Sequence, residues 1–562
     1  MRWLVPLAVA LIVGVALAPA AAAAPASTDE TAVASDTDDV RPDPENDTIG
    51  WENGYWYDDP LPNVDPNDGL NESELEKVVA RSMARVEQVR QLEFEQTVPV
   101  NLISRETYVE RYASGDGSGA PADYRTFDNA KWEALYIVNE SADSIAVRNR
   151  NRGSTVGGFY SPSQERIVVV SENTETPQLS EVTLSQELFH ALQDQQFDLS
   201  TLDYSTREAH NTADGVVEGD GNLVDQLYAE RCKESWDCFE DTTDNNSSDG
   251  GGSVPNWGRY FVVFQPYSDG PEFVRQVKQR GGWEAVNELY DSPPTSSAAV
   301  AERTTNDAAP AAVEIDDQTG ENWQRVRPNG RADYAELGQP GVAAMFVRPL
   351  YNDANPRSWV VDPNNWFNQT DGGELANDPL NYSVSVADGW NGDRLHAYRN
   401  AANETGYVWR INWETESDAR EFADGYAQLV AHYGGEAVGE NTYRITDTAF
   451  ADAVWVAVDG DTVTVVNAPT LDELTQVRTS ATPQTATPTA TEGGDETGET
   501  ATATPGRTAS PTPAADGEST PAADGESTPA ADDESTVARG PGLGAVVAVV
   551  ALLIAGSLAR RR

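Results

Sequence analysis

The chain has 562 residues, with 38 Lys plus Arg against 92 Asp plus Glu, giving a net charge of −54. A surface so negative offers no basic patch for phosphates, which excludes nucleic acid as a partner. In dilute buffer the charge would repel itself. At molar salt the Debye length falls to about 3 Å, and the composition reads as that of a halophile's protein.

In chain order, Arg2 precedes an apolar run over residues 3–18 and four alanines at 21–24. This is the pattern of a secretory signal peptide covering residues 1–24. Residues 25–50 read as a disordered acidic segment. The folded part runs from Gly50 to Arg478 and divides at Gln339, into residues 51–338 and 339–478.

The first piece opens on Trp51, Tyr55, Trp56 and Tyr57. A helix is predicted over 72–91, with Asn71-Glu72-Ser73-Glu74 as its capping box. A strand over 98–103 follows, then helices over 105–112 and 129–138. Strands over 144–148 and 166–170 flank Gly157-Gly158. In the predicted helix 179–197, Leu184, Leu188, Ala191 and Leu192 repeat at helical spacing, so that face belongs to a core. A further helix covers 207–230. Cys232 and Cys238 are the only cysteines, and an exported chain is expected to join them. The acidic stretch 241–253 beside them reads as a loop.

The second piece is a small α/β unit. Tyr407, Trp409, Ile411 and Trp413 alternate as in a half-buried strand. Ala419, Phe422, Ala423, Tyr426, Val430 and Tyr433 follow helical periodicity. Strands over 454–458 and 462–466 flank Asp459-Gly460-Asp461, a hairpin signal. A closing helix covers 471–477. This unit shows no ligand constellation in the sequence.

Residues 479–538 are rich in Thr, Pro, Ala, Asp and Glu, and end in three eight-residue repeats beginning at Pro513, Pro521 and Pro529. Such a tract buries no core. Extended, its ~60 residues reach roughly 180 Å, the dimension of a stalk. Residues 540–562 open on Gly540-Pro541-Gly542-Leu543-Gly544, continue apolar to Ala559 and close on Arg560, Arg561 and Arg562. About 17 apolar residues is the lower limit for a spanning helix, and the arginines place its end in the cytoplasm. Everything before Gly540 is then outside. Sequons fall at Asn46, Asn71, Asn139, Asn245, Asn246, Asn368, Asn381 and Asn403, the candidate N-glycosylation sites of an exported chain.

The most informative segment is Leu184-Ser185-Gln186-Glu187-Leu188-Phe189-His190. A zinc helix needs His-Glu-x-x-His: two imidazoles on one face hold the metal, and the glutamate works on its bound water. Gln186 stands where the first imidazole belongs. A Glu-x-x-His alone reads as a surface ion pair, but more follows. Glu218 lies 28 residues after His190, within Val217-Glu218-Gly219-Asp220-Gly221. Upstream stands Gly158-Phe159-Tyr160-Ser161-Pro162. Downstream stand the segment 267–274, Gly281-Gly282-Trp283 and Pro293-Pro294.

Over residues 130–300 these segments resemble the gluzincin metallopeptidases. The resemblance implies an α+β architecture, with a zincin-like domain of helices and a small sheet preceding the α/β unit, the stalk and a hydrophobic C-terminal helix. It also implies roles: Glu187 as general base, His190 and Glu218 as metal ligands, Gln186 in place of the third. An amide oxygen is a poor zinc ligand. Without the metal, water keeps a pKa near 15.7 instead of about 7. The expected domain is therefore a degenerate, non-catalytic peptidase with no cofactor, and zinc belongs only to the alternative of an active surface metallopeptidase. His210 sits at no motif position and reads as structural, as do His396 and His432.

The C-terminal segment resembles the PGF-CTERM signal of haloarchaeal surface proteins, with Leu543 in place of the Phe. That family implies removal of the tail by an archaeosortase and anchoring to the membrane by a lipid. The whole ectodomain resembles haloarchaeal surface proteins built in this order, which implies an outer-face, cell-surface location. The expected partners are the lipid anchor, the archaeosortase, and a surface-layer glycoprotein or a peptide. A purely structural component of the envelope or surface layer is the remaining alternative.

Overall fold

The computed structural model describes residues 41–485, apart from 63, 66–67, 172, 175–179, 240–253, 306–307, 353–357, 371–372 and 376. The signal-peptide, stalk and tail expectations, and Asn245 and Asn246, lie outside the described residues. Among the described residues no helix is long and apolar enough to cross a membrane.

The predicted capping box forms at the start of α1 (Glu72–Arg90). Asn71 Oδ1 accepts from the Glu74 N–H, and the Glu74 carboxylate accepts from the Asn71 N–H. Gln91, in the left-handed region at φ 62°, ends the helix. α1 buries Val78, Met83 and Val86, and with them Arg81, Arg85 and Arg90. The helix expected over 129–138 is α2 (Ala122–Ala134), starting earlier because Pro121 precedes it.

One expectation is overturned. Residues 144–148 are not a strand but the start of α3 (Ser144–Thr155). Ile145 and Val147 alternate with small residues as in a strand, but Asp143 caps the chain as a helix. Its Oδ1 accepts from the Ile145 and Ala146 N–H groups, satisfying two donors of the first turn.

β1 (Val100–Ser104), β2 (Gly158–Ser161) and β3 (Arg166–Ser171) form a small sheet in the order β1-β3-β2. β1 runs parallel to β3, and β2 antiparallel to it. α4 (Glu181–Phe197), α5 (Arg207–Glu234) and α6 (Trp257–Asp291) follow, α6 breaking at Gly282 with φ 72°. The Leu184, Leu188, Ala191 and Leu192 face of α4 is buried with Val78, Val86, Tyr160 and Ile167 in one core.

The second sheet is antiparallel. It comprises β4 (Trp323–Arg325), β5 (Trp390–Asn400), β6 (Thr405–Trp413), β7 (Gly435–Glu440), β8 (Thr442–Ile445), β9 (Ala453–Asp459), β10 (Thr462–Ala468) and β11 (Gln484–Thr485). Their order is β11-β7-β8-β9-β10-β6-β5-β4. Tyr407, Trp409, Ile411 and Trp413 share a core with Phe422 and Tyr426 of α8 (Glu416–His432), while Val408 packs with Leu474 and Val477 of α9 (Leu471–Val477). The first of these cores also takes in Phe127, Trp132, Phe261 and Phe264. Between the helical part and the sheet lies α7 (Gly338–Val347), whose ten residues are all buried, as a helix apolar on every side requires. The molecule is α+β.

Candidate functional site

α4 is fixed at its first residue. The Glu181 carboxylate accepts from Arg85 (2.5 Å), Arg81 (3.2 Å), Tyr228 Oη (2.7 Å) and the Phe239 N–H (3.1 Å). Arg90, one to two turns further along α1, holds Asp220 of α5 through Nε and Nη2 at 3.0–3.1 Å. Three fully buried ion pairs, two on Glu181 and one on Asp220, therefore set α4 and α5 against α1.

The glycines of Val217-Glu218-Gly219-Asp220-Gly221 now have physical reasons. A Cβ on Gly219 would stand 2.6 Å from the Gly270 carbonyl oxygen, and one on Gly270 would stand 2.7 Å from the Gly215 oxygen. α5 and α6 thus cross in backbone contact. A Cβ on Gly221 would stand 3.1 Å from His190 Cε1, so this glycine leaves room for the imidazole.

Three of the residues singled out in the sequence, Glu187, His190 and Glu218, come to one place, and Gln186 is buried one turn before His190 on α4. His190 Nε2 lies 3.5 Å from Glu218 Oε2. His190 Nδ1 contacts Gln193 Oε1 at 2.7 Å, while Gln193 Nε2 donates to the Val217 carbonyl (2.9 Å) and Tyr290 Oη (2.5 Å). With the amide nitrogen so engaged, Gln193 presents its oxygen, and His190 Nδ1 must be the donor. Tyr290 Oη donates on to Asp220 (2.9 Å), and Tyr267 Oη donates to Glu218 Oε1 (2.6 Å). Glu187 lies against β2: it accepts from the Tyr160 N–H, and a Cβ on Gly158 would be 3.4 Å from its Oε1. Gln186 is 4 % exposed, Glu187 8 %, His190 1 % and Glu218 1 %, so the cluster is closed to solvent.

Charge follows from this packing. Burial pushes the Glu187 carboxyl up to about 7, with Glu218 adding to the rise and His190 opposing it. Burial alone would lower His190. Glu218, Glu187 and Gln193 together outweigh it and hold the imidazolium up at about 9. Asp214 is raised by burial to about 8, and Asp225, which accepts from Ser185 Oγ at 3.2 Å, is also raised. Among the described residues, Glu187 Oε2 and Glu218 Oε2 have no hydrogen-bond donor.

The donor set falls one ligand short of a catalytic zinc site: His190 Nε2 and Glu218 Oε2 face each other 3.5 Å apart, Gln193 and Tyr267 hold the opposite sides of these two groups, and the remaining side chain on that helix face is an amide. Among the described residues, the His, Cys, Asp or Glu atoms that converge within 4.8 Å in a group of three belong to Glu133, Glu140 and Asp452. That trio was missed in the sequence, since Asp452 is more than 300 residues from the other two. Gln193 and Asp225 carried a legible signal: they stand at i+3 from His190 and i+7 from Glu218, on the same helix faces.

Cys232 and Cys238 are bonded, with Cα atoms 5.4 Å apart. Asn46, Asn71 and Asn403 are exposed; Asn139 and Asn381 are half-buried. Asn368 donates from Nδ2 to Asp378 Oδ1 and the Leu380 carbonyl, both at 3.0 Å. His210 packs edge-on against Tyr204 and lies 3.4 Å from Asp214, and His396 contacts Asp317 at 3.1 Å.

A family model described as a domain of unknown function (DUF8575) matches residues 324–478. No curated protein and no solved structure matches the chain. The matched stretch begins in β4 and ends with α9, so it takes in α7, α8 and most of the large sheet, and the Gln186–Glu187–His190–Glu218 cluster lies before it.

Proposed function

We propose that the protein is an exported, surface-anchored acidic glycoprotein whose gluzincin-like, zincin-type domain is non-catalytic and serves as a scaffold. The observation that carries this reading is Gln186, a buried amide one turn before His190, where the metal site of the motif needs an imidazole, beside a His190 and a Glu218 that already pair with each other. Burial of Glu187 favours the scaffold over peptide capture at that residue. The location rests on the sequence: the signal-peptide pattern, the stalk and the PGF-type tail, with archaeosortase processing, a lipid anchor and a surface-layer glycoprotein as the partners that go with it.

The test is zinc content and peptidase activity of the protein purified in molar KCl. The expected result is no stoichiometric zinc and no turnover. Stoichiometric zinc with turnover that Glu187→Ala abolishes would establish the active metallopeptidase instead. Gln186→His restores the missing imidazole and is expected to raise zinc affinity at least tenfold, since ligand number sets the affinity of such sites.

A further inference from the structure

A cavity of about 360 Å³ lies beside the first turns of α5, bounded by the loop that follows α6, the segment 310–313 and the start of β5. This volume is within the range of small-molecule sites. It is separate from the Gln186 cluster and does not rest on the scaffold reading.

The lining carries four carboxyl groups, Asp203, Glu208, Glu336 and Asp393, against one cation, Arg394. Arg394 is already engaged: it donates to Glu336 Oε1 at 3.0 Å and lies 3.9 Å over the Tyr334 ring. Glu208 and Asp393 are buried and, among the described residues, meet only neutral donors. Glu208 accepts from the Ser297 N–H (2.7 Å) and Oγ (2.5 Å). Asp393 accepts from the Leu337 and Gly338 N–H groups and Trp409 Nε1, all at 2.9–3.1 Å. Burial without a counter-charge is costly for a carboxylate. It pushes Glu208 up to about 7, with Asp393 and Glu336 adding to the rise, and Asp393 up to about 6, with Glu336 adding.

Among the described residues, two N–H groups of lining residues have no partner, Trp390 Nε1 and Arg394 Nε, and Trp390 is only 5 % exposed. Leu202, Pro293, Pro294, Val313 and Trp390 supply apolar wall. The cavity thus combines unneutralised acid, an aliphatic and aromatic surface, and donors that lack an acceptor.

We propose that this cavity binds an aliphatic ammonium ion that also carries a carbonyl oxygen, the chemistry of lysine, either free or within a peptide. The ammonium supplies the counter-charge for the carboxylates, the methylene stem lies on Leu202, Val313 and the prolines, and the carbonyl accepts from Trp390 or Arg394.

The test uses the full-length protein in detergent and molar KCl, titrated calorimetrically with Nα-acetyl-lysine amide and with Nα-acetyl-norleucine amide, which keeps the stem and lacks the charge. The lysine compound is expected to bind at least tenfold more tightly, and to release protons near pH 6.5 as its charge ionises Glu208 and Asp393. Free L-lysine binding more tightly than the amide assigns the free amino acid; weaker binding assigns a peptide. Asp203→Asn, at the exposed mouth, should weaken the lysine compound several-fold and leave the norleucine compound unchanged. Ala312→Trp, at an exposed wall position, should abolish both. Equal affinity for the two compounds overturns the proposal. So does the absence of saturation below about 10 mM with folded protein, or unaltered binding by Ala312→Trp.

Discussion

The crossing of α5 and α6 can be probed with three glycine-to-alanine changes whose signs differ. Each gains up to about 1 kcal/mol of helix propensity, so the outcome turns on what the new methyl meets. At Gly153 in α3 the nearest atoms are Val109 Cγ2 at 3.5 Å and Ala113 Cβ at 3.7 Å, ordinary contacts. Gly153→Ala should therefore stabilise, by up to about 1 kcal/mol. At Gly219 the methyl would stand 2.6 Å from a backbone oxygen and 2.9 Å from Val274 Cγ2. No rotamer relieves a backbone clash, so the helices must separate. Overpacking costs about 1–3 kcal/mol or more, and a net loss of about 2 kcal/mol is expected after the propensity gain. Gly221→Ala is intermediate: the His190 ring, 3.1 Å away, must give by a few tenths of an ångström. It is held on one side by Gln193 and on the other by Glu218. Urea unfolding in molar KCl reads all three, since a neutral denaturant leaves the screening unchanged. The expected order of stability is Gly153→Ala above wild type, then Gly221→Ala, then Gly219→Ala. A Gly219→Ala protein as stable as wild type would refute the close crossing, and a destabilised Gly153→Ala protein would refute the assignment of the difference to contact distance.

The Gln186→His change should raise zinc affinity, as measured by equilibrium dialysis against a chelator, and leave the far-ultraviolet dichroism unaltered. Glu208 supplies a pH dependence. Its folded value of about 7 lies above the ordinary 4.5, so the folded state holds the proton more tightly and stability falls as pH rises from about 4.5 through about 7. The contribution is on the order of 3 kcal/mol at most. Glu208→Gln should flatten that part of the profile in urea titrations between pH 5 and 8; an unchanged slope would rule the carboxyl out as its source. Glycopeptide mass spectrometry of the native protein should find occupancy at exposed Asn46 and little at Asn368, because a glycan on Nδ2 would displace a bond to Asp378 or Leu380.

Local rules were legible wherever the burial pattern and the cap agreed. The helix with its apolar face at Leu184, Leu188, Ala191 and Leu192, the strand with Tyr407, Trp409, Ile411 and Trp413, and the helix over 471–477 all carry periodicity that only one element satisfies. The stretch after Asp143 carries two conflicting signals. Ile145 and Val147 favour a strand, whereas an aspartate accepting from Ile145 and Ala146 favours a helix, and the cap prevails because it satisfies backbone donors that the strand would have to pair elsewhere. Long-range pairings left no trace in the sequence: nothing marks Gly219 and Gly270 as a crossing, or Glu133 and Asp452 as neighbours. The candidate site was legible as a meeting of residues and not as a chemistry. His190 and Glu218 come together as the motif implies, but Gln193, Tyr267 and Tyr290 determine what the meeting can do. Gln193 fixes the His190 ring through Nδ1, Tyr267 fixes the Glu218 carboxylate through Oε1, and Tyr290 links Gln193 to Asp220. Once Gln193 accepts from His190 and Tyr267 donates to Glu218, the histidine and the glutamate are needed as buried hydrogen-bonded groups whether or not an ion is present. Removing either would leave the other unpaired in a closed site, at a cost of about 3–5 kcal/mol. The presence of His190 and Glu218 is thus accounted for by their mutual pairing, and the substitution at residue 186 is where a packing role and a catalytic role make different demands.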